Sequence, residues 1–199
     1  MKNIFDQREF EILKDHYGIN AVEKEVTLHI TNRKFFEEIK YNVINDRRGE
    51  VAFAVERMNQ KIIVIRTDSY PEGIYRVPTG GINYGEDIID ALNREIKEEL
   101  GLVTDRPQFL GVIKYCFCCE GEEINFYSYI FRLKETGGNI LEDALEDEIS
   151  EYMEADKNQM KDVVKKLRGF QGEWKDWCVF RACTTEFYNT MDVSYYYKT

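Results

Sequence analysis

The segment Gly80–Leu102 constrains this chain most, because it places a glycine-rich turn directly before an acidic, amphipathic helix. Its first six residues include three glycines, which tolerate the positive φ angles that a sharp strand-to-helix turn requires. Apolar residues then recur at helical spacing until Gly101, and glycine at that position is a helix stop signal. The sequence therefore predicts a loop over Thr79–Gly85 and a helix over Glu86–Leu100.

Three glutamates crowd one face of the predicted helix, since Glu95, Glu98 and Glu99 are spaced i, i+3 and i+4. Each like-charged pair destabilises even an exposed helix by about 0.2–0.5 kcal/mol. An adjacent apolar stripe would bury the helix and hold these acids at a fixed edge; it consists of Ile88, Ile89, Leu92, Ile96 and Leu100. A hard divalent cation removes the repulsion, because Mg²⁺ prefers carboxylate oxygens. The pattern favours a magnesium site over the alternative, a solvated acidic helix face.

The same segment resembles the Nudix box. In that motif a glycine is followed after five residues by a glutamate and, after seven more residues, by Arg-Glu. The motif continues with an aliphatic residue, any residue, Glu-Glu, any residue, Gly and an aliphatic residue. All fixed positions are matched, by Gly80, Glu86, Arg94, Glu95, Ile96, Glu98, Glu99, Gly101 and Leu102. The resemblance implies an α/β fold, the Nudix α/β/α sandwich around a mixed sheet. It also implies hydrolysis of a phosphate–phosphate bond with Mg²⁺ as cofactor, for which Mn²⁺ can substitute.

The resemblance also implies a role for each polar residue of the box. Glu98 and Glu99 are expected to be direct metal ligands, and Glu95 a ligand or the catalytic base. Arg94 is expected to orient Glu95. A backbone carbonyl just before the box binds metal in the family, and by position this is the carbonyl of Thr79. Structural support of the site is expected from Gly80, Glu86 and Gly101.

The general base differs among Nudix enzymes, and some take it from a later loop. The acidic run between residues 142 and 151 is the best source in this chain, and we favour Glu146 or Glu148. A solvated charged loop is the alternative for this run, because acidic runs usually lie at the surface. Substrate contacts are expected from Arg66, Tyr75 and Arg76, which lie just upstream of the box.

Outside the box, alternation and turn signals predict a mixed sheet with helices on its faces. The predicted strands are Glu25–Ile30, Val51–Arg57, Lys61–Thr67, Tyr75–Val77, Phe109–Cys119 and Ile124–Leu133. The predicted helices are Asp6–Lys14, Asn32–Ile39, Lys157–Leu167 and Trp174–Tyr188. We therefore divide the chain into an N-terminal extension (1–48) that could serve in dimerisation or as a lid, a Nudix domain (49–189) and a tail (190–199).

The formal net charge of −10 at pH 7 argues against nucleic acid as a partner, since phosphate binding needs a basic surface. No apolar run approaches the roughly 18 residues of a membrane span, and no signal-peptide core begins the chain. We therefore expect a cytoplasmic protein, a small nucleotide substrate, no membrane partner and, on family grounds, a homodimer. The five cysteines are expected to be reduced thiols.

Two further patterns have an ordinary structural interpretation. On a strand, Cys116 and Cys118 share one side and Cys119 takes the other. No second CxxC or nearby histidine pair completes a zinc set, so we expect core packing or a half-buried strand. Aromatic residues recur at helical spacing near the C-terminus, which is more typical of core or dimer packing than of base stacking; they are Trp174, Trp177, Phe180, Phe187 and Tyr188.

The substrate class remains open at the level of sequence. An ADP-ribose-like or nucleotide-sugar substrate, a nucleoside diphosphate linked to a second group, is favoured. One alternative is a Nudix-fold sensor that binds a nucleotide metabolite without turnover. The other is a pyrophosphohydrolase acting on nucleoside triphosphates or on RNA 5′ ends, and the acidic net charge speaks against the RNA substrate.

Overall fold

The computed structural model describes residues 5–145 and 148–190. Within them the strands are β1 (Val22–His29), β2 (Arg47–Glu56), β3 (Ile62–Arg66), β4 (Thr79–Asn83), β5 (Leu102–Thr104), β6 (Gln108–Cys119), β7 (Glu122–Gly138) and β8 (Glu151–Ala155). The helices are α1 (Gln7–Tyr17), α2 (Arg33–Asn45), α3 (Ile88–Glu95), α4 (Lys157–Gly169) and α5 (Lys175–Thr190). A π-helical turn, Ile96–Leu100, continues α3.

The strands form a mixed sheet in the order β1-β6-β7-β2-β3-β8. Two pairs, β1 with β6 and β2 with β7, are parallel, whereas β6 with β7 and β3 with β8 are antiparallel. Short strand β4 pairs with β2, and β5 pairs with the end of β7. Helices cover both faces of this sheet, which confirms the predicted α/β/α architecture.

Alternation along β2 divides the core between the two faces. Phe53 points to the face covered by α1 and α3, where it joins Phe10 and Leu92 in one buried cluster. Ala52 points to the opposite face, where Phe180 of α5 belongs to the buried cluster. The C-terminal aromatic helix therefore packs in the core, as its spacing predicted.

The N-terminal segment is built into the sheet. β1 runs parallel to β6 along its whole length, from Val22 opposite Gly111 to His29 opposite Cys118. Phe10 of α1 packs edge-on against Phe109 of β6. The predicted strand and helices of this region are confirmed, although α2 continues beyond the predicted Ile39. The role of the N-terminal segment in dimerisation stays a prediction.

Three predicted elements around the box differ in the structure. Thr79–Gly85 was predicted as a loop, but its first five residues form β4, because pairing with β2 overrides the low strand propensity of glycine. The predicted strand Tyr75–Val77 is reduced to one bridge between Arg76 and Ile65. The helix begins after Glu86, since the Asp87 carboxylate caps the first turn.

No helix of the described residues is long and apolar enough to cross a membrane. Most of the predicted tail, together with Glu146, lies outside these residues.

Candidate metal and catalytic site

The box helix ends in a π-helical turn and not in the continuous α-helix that the sequence predicted. After Glu95 the backbone passes from an α-helix into a π-helical turn, which carries Glu98 and Glu99 and ends at Gly101. Single π turns within α-helices are rare and frequently occur at functional sites. Gly101 has a φ of 68°, and a Cβ at this position would also overlap the backbone of Asp143. A residue with a side chain therefore cannot replace this helix stop without strain.

Arg94 organises the carboxylates of the box. Its Nε donates to Glu86 Oε1 at 2.8 Å, and its Nη1 donates to Glu95 Oε1 at 2.8 Å and to Glu98 Oε2 at 3.0 Å. Its Nη2 donates to the carbonyl of Gly81 at 2.8 Å. The arrangement agrees with the expected positioning role of Arg94 and with support from Glu86. One guanidinium cannot neutralise three carboxylates, so the cluster keeps excess negative charge.

Strand β4 forms the wall opposite these carboxylates. Gly80 faces Glu95 so closely that a Cβ would overlap the Glu95 carboxyl group. Phe53 N–H donates to the carbonyl of Pro78, so the alternation of an antiparallel ladder turns the carbonyls of Thr79 and Gly81 away from β2. Arg94 donates to the Gly81 carbonyl, and the Thr79 carbonyl leaves the strand on the same side, away from β2.

Glu99 is the most unusual group of the site. Its side chain is 7 % exposed, and its Oε2 has no hydrogen-bond partner among the described residues. Burial raises the pKa of this carboxyl to about 8; nearby Arg76 opposes the rise, and the negative charges of Glu95 and Glu148 add to it. Burial also raises the pKa of Glu95, although Arg94 opposes it. The protein thus keeps an acid in an environment that disfavours its charge.

Arg76 lies inside the protein. Its Nε donates to the Tyr70 hydroxyl at 2.8 Å, and its Nη1 donates to the Val77 carbonyl at 2.9 Å and to Thr79 Oγ1 at 3.0 Å. This guanidinium is bonded to protein atoms and supplies positive charge beside Glu99, and its expected contact with substrate stays a prediction.

The sequence analysis did not identify the buried ion pair between Glu50 and Arg181. Glu50 of β2 is 2 % exposed and accepts hydrogen bonds from Ser128 Oγ at 2.6 Å and from Arg181 Nη1 at 2.7 Å. The Arg181 charge also lowers the pKa of Glu99, so α5 contributes to the site. The sequence contained one signal for this pair, the acidic Glu50 at the start of the apolar run of β2. A carboxylate buried there requires a partner.

The remaining predicted contacts lie at the edge of the sheet. Arg66 Nη1 is 3.4 Å from Glu151 Oε2, and Tyr75 hydrogen-bonds the same glutamate. Tyr75 also lines a cavity of about 830 Å³ against α4. Glu148 is exposed, and its charge reaches Glu99.

A family model of the NUDIX domain matches residues 46–178, and the chain belongs to that family. This confirms the family that the box indicated. The matched range contains the carboxylate cluster, strand β4 and the start of α5.

Three curated relatives bear similar sequences. Nudix hydrolase 2 of Arabidopsis thaliana is 39 % identical over 68 residues, covering 33 % of this chain and 24 % of that protein. The ADP-ribose pyrophosphatase of Methanocaldococcus jannaschii is 31 % identical over 124 residues, covering 62 % of this chain and 71 % of that protein. The 8-oxo-dGTP diphosphatase of Buchnera aphidicola is 30 % identical over 63 residues, covering 32 % and 51 %. The chain thus spans about half or less of two of these relatives.

Proposed function

We propose that this chain is a Mg²⁺-dependent hydrolase that cleaves the phosphate–phosphate bond of a nucleoside diphosphate linked to a second group. The observation that carries the proposal is the unpartnered, buried Oε2 of Glu99 within the excess negative charge around Arg94. A buried carboxylate oxygen without a donor is costly, and a bound cation would satisfy it. The carboxylate chemistry fits a hard divalent cation, with Mn²⁺ able to replace Mg²⁺.

The proposed metal ligands are the carboxylates of Glu95, Glu98 and Glu99 together with the carbonyl of Thr79. This carbonyl is directed away from β2, so it can reach the carboxylate side. Arg94 now occupies one oxygen of Glu95 and one of Glu98, and each of these carboxylates retains a second oxygen for coordination. Gly80 keeps the space above Glu95 free of a side chain.

When bound, the metal would neutralise diphosphate charge and lower the pKa of the attacking water. The residues of the chain would then hold this arrangement and remove the proton. Arg94 fixes the Glu95 carboxylate, Glu86 fixes Arg94, and the proton passes to a nearby carboxylate. We assign that role to Glu148, on the loop before β8, or to Glu146, which lies outside the described residues, with Glu95 as the alternative base. The charge of Glu148 already reaches Glu99 across the site.

The substrate proposal is an ADP-ribose-like or nucleotide-sugar molecule. It is supported by similarity to the M. jannaschii ADP-ribose pyrophosphatase, which extends over 71 % of that protein. The runner-up is a nucleoside triphosphate, supported by the shorter match to the Buchnera 8-oxo-dGTP diphosphatase. An RNA 5′ end is disfavoured by the net charge of −10.

The test is turnover of a substrate panel by the full chain, with Mg²⁺ and with EDTA. The panel contains ADP-ribose, nucleotide sugars, dinucleoside polyphosphates and nucleoside triphosphates. We expect metal-dependent cleavage of a nucleoside diphosphate derivative and a loss of orders of magnitude in Glu98→Gln. Asp90→Asn is the matched control, since Asp90 is an exposed acid on the same helix.

Full activity in folded Glu98→Gln would overturn the metal assignment. Saturable binding of a nucleotide without turnover, measured by calorimetry, would show that the chain is instead a sensor. Cleavage confined to nucleoside triphosphates would keep the hydrolase and replace its proposed substrate.

A further inference from the structure

A second group of metal-ligating side chains lies far along the sheet from the Nudix box. Cys116 and Cys118 of β6 are half-buried on one face, whereas their neighbour Cys119 is buried in the core on the other face. This alternation was predicted from the strand pattern. The remaining two cysteines, Cys178 and Cys183, are buried in α5.

Strand pairing adds two ligand types, one from β1, which is distant in the sequence, and one from β7, just across the hairpin turn. Cys118 is opposite His29 of β1 on one side and opposite Glu123 of β7 on the other. Residues in register on adjacent strands point to the same face, with Cβ atoms about 5 Å apart. His29 and Glu123 therefore flank Cys118 in one row across three strands. Cys116 lies on the same face, one step along β6.

The distances among the ligand atoms of Cys116, Cys118 and Glu123 suit three positions of a tetrahedral metal site, whereas the His29 imidazole lies outside this close set and would have to turn toward it. The two Sγ atoms are 3.7 Å apart. Two thiolates bound to zinc at about 2.3 Å each, with a tetrahedral angle between them, are separated by about 3.8 Å. A carboxylate oxygen of Glu123 lies within 4.8 Å of both sulfur atoms. Among the described residues, no other set of three such ligand atoms lies this close together.

We propose that Cys116, Cys118 and Glu123, with His29 as the fourth ligand, bind a thiophilic divalent cation, Zn²⁺ by preference. Two sulfur ligands, an imidazole and a carboxylate form a ligand set that tetrahedral zinc accepts. Soft thiolates disfavour Mg²⁺, so the site is chemically distinct from the carboxylate site of the box. Each thiol would bind as a thiolate and release its proton to solvent.

The surroundings of the group suit a cation that enters from solvent. His29 and Glu123 are exposed, and a cavity of about 290 Å³ opens beside Cys116. The nearest lysine on this face of β6, Lys114, forms an ion pair with Glu23. Its charge is therefore compensated and does not oppose a metal ion at the cysteines.

The sequence alone argued for core packing or a half-buried strand at these cysteines, because no second CxxC or nearby histidine pair completes a zinc set. In the sheet, the missing ligands come from β1 and β7, which precede and follow β6. The structure buries Cys119 in the core and leaves Cys116 and Cys118 half-buried on a strand, as expected, and the metal site is proposed in addition to this placement.

The test is a Co²⁺ titration of the full reduced chain, with excess Mg²⁺ present to fill the box site. We expect thiolate-to-cobalt charge-transfer absorption that saturates at one equivalent and disappears when Zn²⁺ is added. Cys116→Ser and Cys118→Ser should abolish this absorption. Cys119→Ala is the matched control, because it alters the adjacent cysteine on the opposite face and should keep the signal.

The other two ligands are tested by affinity. Loss of a direct ligand should weaken Co²⁺ binding at least as much as loss of an outer partner, which weakens binding by about 10–100-fold. We therefore expect that weakening in Glu123→Gln and in His29→Gln, with circular dichroism showing that each variant is folded. An unchanged affinity in both variants would contradict the assigned ligands.

Absence of the charge-transfer absorption in the reduced wild-type chain would overturn the proposal. So would its persistence in the Cys116→Ser/Cys118→Ser double variant. Glu99→Gln separates this proposal from the hydrolase proposal, because it alters the box and should leave the cobalt signal unchanged.

Discussion

Replacing Glu99 by glutamine should stabilise the metal-free protein at alkaline pH and remove its hydrolytic activity. In the wild type, Glu99 is 7 % exposed, and its Oε2 lacks a partner among the described residues. Glutamine has nearly the same shape but no charge to bury. The opposite effects on stability and activity are expected because the carboxylate is costly to bury without a cation but is a proposed ligand of one.

The size of the effect follows from the pKa of Glu99, which burial raises from 4.5 to about 8. A carboxyl that binds its proton more tightly when folded stabilises the fold at low pH and loses this contribution as pH rises. At about 1.4 kcal/mol per pKa unit, the loss approaches about 5 kcal/mol above pH 8. Between about pH 5.5 and about pH 8.5 the loss of folding free energy amounts to about 3 kcal/mol. Glutamine loses attraction to Arg76, which offsets part of the gain.

The assay is urea unfolding of wild type and Glu99→Gln in EDTA at both pH values. The difference between the variants isolates Glu99 from the other titrating groups. We expect the variant to gain about 2–3 kcal/mol relative to wild type as pH rises, which corresponds to a shift of about 5–10 °C in Tm for a chain of this size. A stability difference that is the same at both pH values would refute the reasoning.

Other substitutions test the rest of the site. Gly80→Ala should lower activity and destabilise the fold by about 1–3 kcal/mol, because its Cβ overlaps the Glu95 carboxyl; thermal unfolding and turnover measure both effects. Arg94→Lys should lower kcat despite the conserved charge, because an ammonium group cannot hold several carboxylates in the planar geometry of a guanidinium; recovery of wild-type kcat would contradict this. Arg181→Met should destabilise the fold by about 3–5 kcal/mol by leaving Glu50 unpaired, and adding Glu50→Gln should restore part of the loss in a double-mutant cycle.

The box identified the family and the layered fold because it encodes local structure and chemistry together. Glycine spacing, the apolar stripe and the stop at Gly101 all agree with one strand–helix unit. The long hairpin of β6 and β7 was predictable as well, since its strands alternate and Glu120-Gly121 forms a turn with positive φ angles. Local patterns of this kind do not depend on distant partners.

The π turn and strand β4 were not predictable, because tertiary contacts decide both. A helical pattern gives the same apolar stripe for an α-helix and for one that widens at its end. In the folded chain, Gly101 meets the backbone of Asp143, and Leu145 N–H donates to the Glu98 carbonyl at 3.0 Å. Both contacts join the end of the π-helical turn to the loop that follows β7.

The buried ion pair of Glu50 and Arg181 shows how helix α5 enters the site. The two residues are 131 positions apart, and no spacing rule connects them. The apolar residues of α5 predicted its burial, but only the sheet register brings Ser128 and Glu50 opposite each other beneath it. The positive charges of Arg181 and Arg76 both favour an ionised Glu99, yet burial outweighs them. The proposed cation would supply the charge that the two arginines do not, which links the packing of α5 to the proposed chemistry of the box.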